Sequence, residues 1–266
     1  MIGAAIGTAD GRLAEAERIR RLEDPGRDFP FYRGWPIALS GPQWLLVLTG
    51  VLVALLAVAF PPAVLNSGLA RMVPALLLAA VPLAALALVA RSHWRVLFGP
   101  VGWHEIKWMI LFGLLNLVVS MSVGALLNPF VDFQSNAAVA GIADQAAAEQ
   151  WFLFIRTAPQ LLGEEVITIL PFLALLTLFT QRLGSGRKAA ILWAWLLSAL
   201  LFGLIHLPTY DWNLIQCVVI IGIARLVLTL PWIMTKNLWV STGAHILNDW
   251  SLFSLQLLGA GLIAAS

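Results

Sequence analysis

The chain of 266 residues is 60% hydrophobic and only 11% charged, with a mean hydropathy of +0.88. Soluble domains carry about a quarter charged residues, so a soluble globular fold is excluded. The formal net charge of +2 is small, and the basicity reflects Lys and Arg placed in loops, a topology signal that says nothing for a nucleic-acid surface. The single cysteine, Cys217, excludes an internal disulfide and a cysteine-based metal cluster, and its apolar surroundings read as a buried small side chain.

Met1 to Ile6 is too short for the apolar region of a cleavable signal and is followed by charged sequence. Residues 10–24 mix Arg12, Arg18, Arg20 and Arg21 with Glu15, Glu17 and Glu23, beside a thin stripe of Leu13, Ile19 and Leu22. That pattern predicts a short helix on the cytoplasmic membrane surface, with a frayed, solvated arm as the alternative. Phe29-Pro30-Phe31-Tyr32 through Trp35-Pro36 suits an interfacial lead-in. Residues 1–41 therefore read as an N-terminal arm and 42–266 as one all-α membrane domain.

Seven apolar spans come next, at 42–60, 70–90, 105–128, 151–180, 188–207, 212–234 and 238–261. Lys and Arg sort their connections. The arm, the loop with Arg91, Arg95 and Lys107, the loop with Arg182, Arg187 and Lys188, and the turn with Lys236 are basic. The intervening segments hold only Arg71, no cation in 129–150, and only Asp211. This alternation predicts a cytoplasmic N-terminus and a C-terminus on the opposite side. The Ala-rich stretch from Asn136 to Glu149 is expected to form a short helix at the outer surface. No internal repeat is present, which argues against the paired halves of a secondary transporter.

The polar residues inside these spans carry the functional signal, because an ionised group at membrane depth is costly and usually faces a cavity or a partner. Glu164 and Glu165 sit mid-span, about 100° apart around a helix, so one can address a cavity while the other binds neighbouring helices. His206 closes span five, one turn after Phe202. His245 and Asp249 lie one turn apart on one face of span seven, and Asn248 leaves open which residue partners the histidine. Each alone is a weak signal with a plain structural alternative. Together they exceed it, because spans one to three hold almost none. In terms of depth, His206 lies about 27 Å of helix rise past Lys188 and His245 only about 10–13 Å past residue 237. The two meet only if span five starts deep, tilts or ends short.

The order Glu-Glu, then Phe-x-x-x-His, then His-x-x-x-Asp on successive late spans resembles the CPBP family of CAAX-protease and bacteriocin-processing intramembrane proteases. The resemblance covers about 151–255 and is nearest the bacterial branch related to the Ras-converting prenyl endopeptidase. It implies a helical fold in a bacterial cytoplasmic membrane, peptide-bond hydrolysis, and a peptide or membrane-protein substrate met in membrane lipid. It implies Glu164 as the activating glutamate with Glu165 its neighbour, Phe202 and His206 as the second motif, and His245 with Asp249 as the third. The family's first motif carries an Arg where this chain has Ile169. Arg225 in span six is then expected to supply the counter-charge to Glu165 or Asp249. Arg156 is a second source, since it shares a face with Gln160 and Glu164.

Two histidines and a glutamate (Glu164, His206 and His245) can hold Zn²⁺ with an open position, yet no helical His-Glu-x-x-His is present, and a metal-free glutamate mechanism stays equally open. The leading function is an intramembrane endopeptidase using a glutamate-activated water. The second reading is a catalytically degenerate homologue serving as a membrane-embedded binding, immunity or assembly factor. A transporter or channel is third.

Overall fold

The computed structural model describes Leu13, 15–20, 22–136, Val139 and 141–265. The chain forms helices joined by turns: α1 (Gly41–Ala59), α2 (Met72–Ala90), α3 (Trp103–Leu127), α4 (Ala147–Thr177), α5 (Arg187–Ile205), α6 (Gly222–Thr235) and α7 (Leu238–Ala265). A π-helical turn, Leu178–Arg182, extends α4, and a π-helical stretch, Gln216–Ile221, leads into α6. Among the described residues six helices are long and apolar enough to cross a membrane. The seventh, α7, has the length but carries Thr242, His245, Asn248 and Asp249 along its first half.

The helices close on themselves where small residues let backbones approach. A Cβ built on Gly113 of α3 would lie 2.6 Å from Leu247 Cδ2 and 2.9 Å from the Ala244 carbonyl oxygen of α7. On α5, a Cβ on Gly203 would lie 2.5 Å from the carbonyl oxygen of Cys217. No side chain fits either gap without shifting backbone, so the two glycines fix α3 on α7 and the end of α5 on the start of α6.

The N-terminal arm departs from expectation. Residues 10–12, 14 and 21 lie outside the described residues, and those described between 13 and 24 form turns rather than a surface helix or a loose arm. The reason is electrostatic. The Glu23 carboxylate, 3% exposed, accepts hydrogen bonds from Arg187 Nη1 (2.8 Å) and Nη2 (2.6 Å) and from Lys236 Nζ (2.8 Å). Asp28 joins the cluster, accepting from Arg187 Nη2 at 2.7 Å and from the Tyr32 hydroxyl at 2.6 Å. Phe29, Phe31 and Tyr32 continue into the core against α4, α5 and α6, Phe29 packing on Phe172 at 5.4 Å. Lys236 adopts φ 51° at the α6–α7 turn, a left-handed conformation costly for a side-chain-bearing residue, and its ion pair with Glu23 offsets that cost.

Burial alone would raise the Glu23 carboxyl, but the hydrogen bonds and charges of Arg187 and Lys236 outweigh it and pull it down to about 2. Because this lies below the ordinary value of 4.5, the stabilisation is complete above that value and is lost as pH falls toward 2. Glu23→Gln is expected to cost about 2–3 kcal/mol near neutral pH. That is below the usual range for breaking a buried pair, because Asp28 keeps its bond to Arg187. Thermal unfolding midpoints of wild type and variant should converge between about pH 5 and pH 2. A gap independent of pH would rule out the ion pairs as its source.

The Ala-rich stretch also differs from the expected helix. Residues 137, 138 and 140 lie outside the described residues, and beyond them the chain makes a single 3₁₀ turn, Ile142–Asp144, entered through Gly141 at φ 70°. The Gln150 side chain donates to the carbonyls of Ile142 and Ala143, both at 3.3 Å, which stops α4 from extending backward over this turn. Gln134 and Gln216 exchange two hydrogen bonds of 2.9 Å, pinning the preceding loop to the start of α6.

Candidate active site

Helix α4 turns its two glutamates in different directions. Glu165 is fully buried, and its Oε1 lies 2.6 Å from Arg225 Nη2 and 2.8 Å from His245 Nδ1. Arg225, also fully buried, lays its guanidinium over the Phe202 ring at 4.8 Å. Ile169 occupies the next turn of α4 on the Glu165 face and is wholly inside the apolar core. The cation that pairs with Glu165 thus comes from α6 rather than from α4 itself. Arg156 sits on the other glutamate's face: its Nη1 donates weakly to Gln160 Oε1 at 3.4 Å, and Gln160 Nε2 donates to Glu164 Oε1 at 3.0 Å.

Glu164 faces a cavity of about 510 Å³. Its wall also includes Phe202, His206, His245, Asn248 and Asp249, so every sequence-derived candidate except Glu165 lines this space, and Glu165 lies directly behind His245. The His245 proton on Nδ1 is donated to Glu165, which leaves Nε2 directed at Glu164 Oε2 (3.8 Å) and Asp249 Oδ1 (3.6 Å). Both gaps are too long for direct hydrogen bonds and suit a bridging water or substrate oxygen. Asn248 Nδ2 donates to Asp249 Oδ1 at 2.8 Å, which orients that carboxylate.

His206 caps the end of α5. Its Nδ1 donates to the Phe202 carbonyl at 2.7 Å, so the other ring nitrogen is the free one. The Phe202 ring stands 4.5 Å from the His206 ring and 6.5 Å from the His245 ring. The two histidines therefore share one cluster despite their different heights along α5 and α7. Among the described residues no three His, Cys, Asp or Glu side chains are placed to hold one metal ion. Glu164, His206 and His245 therefore do not form a ready three-ligand set.

The cavity contains residues that motif spacing does not identify. Asn116 of α3 is fully buried on its wall, and the rule that flags intramembrane glutamates applies equally to an amide inside Leu114-Leu115-Asn116-Leu117. Tyr210, in the turn after α5, reaches the same space. Its phenol is pushed up by burial and by the charges of Asp249 and Glu164, so it stays a neutral donor.

Residues 147–251 match the family model described as type II CAAX prenyl endopeptidase Rce1-like. No curated protein and no solved structure matches the chain. The matched segment runs from the start of α4 to the Asp249 turn of α7 and holds both glutamates, both histidines and Arg225. The chain is an integral membrane protein, and its segment from the start of α4 into α7 is similar to the CAAX-protease family.

Proposed function

We propose that the protein is an intramembrane endopeptidase in which Glu164 activates the attacking water. The observation that carries this reading is the division of labour between adjacent carboxylates. Glu165 is neutralised by Arg225 and committed to His245, while Glu164 faces the cavity with Oε2 free for water. Glu164 takes a proton from a water shared with His206, and the water oxygen adds to the substrate carbonyl. His245, held at Nδ1 by Glu165 and protonated at Nε2 as well, donates from Nε2 to the oxyanion as it forms. Glu164 returns the proton to the leaving nitrogen as the C–N bond breaks, giving a carboxylate and an amine.

The alternation of basic connections supports a cytoplasmic N-terminus, with the described part of the 1–41 arm anchoring the helical domain 42–266; the resemblance points to a bacterial cytoplasmic membrane. In that orientation the cavity, near the end of α5 and the 129–146 loop, sits toward the outer half. Its occupant is a peptide or membrane-protein segment approached from lipid.

The test is cleavage by purified protein in detergent micelles of two intramolecularly quenched peptides. One is an apolar decapeptide of Ala, Val and Leu. The other ends in farnesyl-cysteine followed by three residues. Time-dependent cleavage of either, with a single cut site by mass spectrometry, is the expected result. Stoichiometric binding without cleavage of either would move the assignment to the binding or assembly factor.

A further inference from the structure

Neither the Oδ1 nor the Nδ2 of Asn116 has a hydrogen-bond partner among the described residues, although the side chain is fully buried and lines the catalytic cavity. A buried amide unpaired at both ends is rare in folded proteins and calls for a partner. Its depth follows from helix packing. Asn237, at the start of α7, accepts from Gly99 N (2.9 Å) and donates to the Pro100 carbonyl (2.9 Å) just before α3. Farther along, Met109 sits against Gly243, and Gly113 against Ala244 and Leu247. The two helices therefore run side by side in the same direction, and the next turn brings Asn116 level with Asn248 and Asp249. Asn248 contributes a second unpaired amide atom, its Oδ1. From α4, Glu164 and Gln160 line the same cavity.

A carboxamide presents an acceptor and a donor in one plane, the same complement as a peptide group. An anion or a metal ion would use only one end of it, whereas main chain uses both. We propose that Asn116 binds the substrate backbone beside the scissile bond. Its Nδ2 donates to a peptide carbonyl and its Oδ1 accepts from a peptide N–H. This assignment rests on the protease reading. It makes Asn116 a specificity-determining residue that selects an extended segment over a helical one, because a helix has already paired those groups internally.

The experiment uses the full chain in micelles and the two quenched peptides, each also made as a depsipeptide series. In each series member one amide N–H near the cut is replaced by an ester oxygen. Wild type is expected to favour amide over ester about tenfold at one position, the worth of one buried hydrogen bond. Asn116→Ala, which removes both bonds, should raise KM about a hundredfold with kcat nearly unchanged, weaken peptide binding to Glu164→Gln protein by the same factor, and abolish the amide preference. Asn116→Asp, which keeps size and acceptor but loses the donor, should still discriminate at the N–H position.

Equal losses for amide and ester in Asn116→Ala would overturn the proposal in favour of a structural role. No loss in either would leave Asn116 paired only with cavity water and overturn it too. Binding of the amide peptides without cleavage would sink the protease reading alone, since the amide–ester comparison can be made by binding. Absence of both binding and cleavage would sink both.

Discussion

Glu164→Gln is expected to lower kcat for peptide cleavage by on the order of 10²–10⁴-fold, the usual contribution of a general base, while KM and the unfolding midpoint stay close to wild type. The substitution preserves shape and leaves Gln160 Nε2 its acceptor at Oε1, now 3.0 Å away in the native protein. Among the described residues the one basic side chain within 4.0 Å of the Glu164 carboxylate is His245, its Nε2 at 3.8 Å. Removing its charge therefore leaves no stranded opposite charge, which is the main route to a large stability loss. Glu165→Gln is the instructive contrast. It strips the partner from Arg225 and weakens the acceptor for His245 Nδ1, so stability and activity should fall together. A stable Glu164→Gln protein that cleaves at the wild-type rate, beside an inactive but equally stable Glu165→Gln protein, would exchange the two roles.

This contrast marks what a linear sequence can carry. The spans are legible because roughly 20 apolar residues have few other fates in a chain this poor in charge. The different fates of Glu164 and Glu165 follow from 100° of helical rotation, and a need for a counter-charge follows from the cost of a buried carboxylate. Which cation answers it is a tertiary fact: Arg225 is 60 positions away in sequence from Glu165, and only the seating of α6 beside α4 brings them to 2.6 Å. Asn116 escapes motif spacing for a similar reason. Its place in the cavity that Glu164 lines depends on the close approach of Gly113 to α7, and nothing local to α3 records it. The arm is least legible, because its charge pattern fits a surface helix while two of its carboxylates, Glu23 and Asp28, are drawn inward by Arg187.

Arg225→Leu is expected to destabilise the protein by about 3–5 kcal/mol, the range for removing one partner of a buried ion pair, and to abolish cleavage. Both groups are wholly buried, so the variant leaves the Glu165 carboxylate facing only the His245 ring. Without Arg225 the carboxylate and the His245 ring lose the group that fixes their shared position, which moves Nε2 away from the oxyanion of the proposed mechanism. The guanidinium also supports Phe202 from behind, and Phe202 in turn holds the His206 ring by its carbonyl and its face, so the second motif should loosen as well. Adding Glu165→Gln to Arg225→Leu should recover much of the stability, because the stranded charge is gone, but none of the activity. Such non-additivity is expected of residues in one network and would separate an electrostatic pair from two independent packing residues. The family's usual cation position provides a further control. In Arg225→Leu, Ile169→Arg places a guanidinium one turn from Glu165 on the same helix and is expected to restore part of the lost stability. In the wild type the same change adds a second buried cation with no anion to meet it, and is expected to destabilise. Unfolding midpoints and cleavage rates of these four proteins decide the matter: if Arg225→Leu alone folds and cleaves like wild type, Arg225 is not the counter-charge on which the glutamate pair depends.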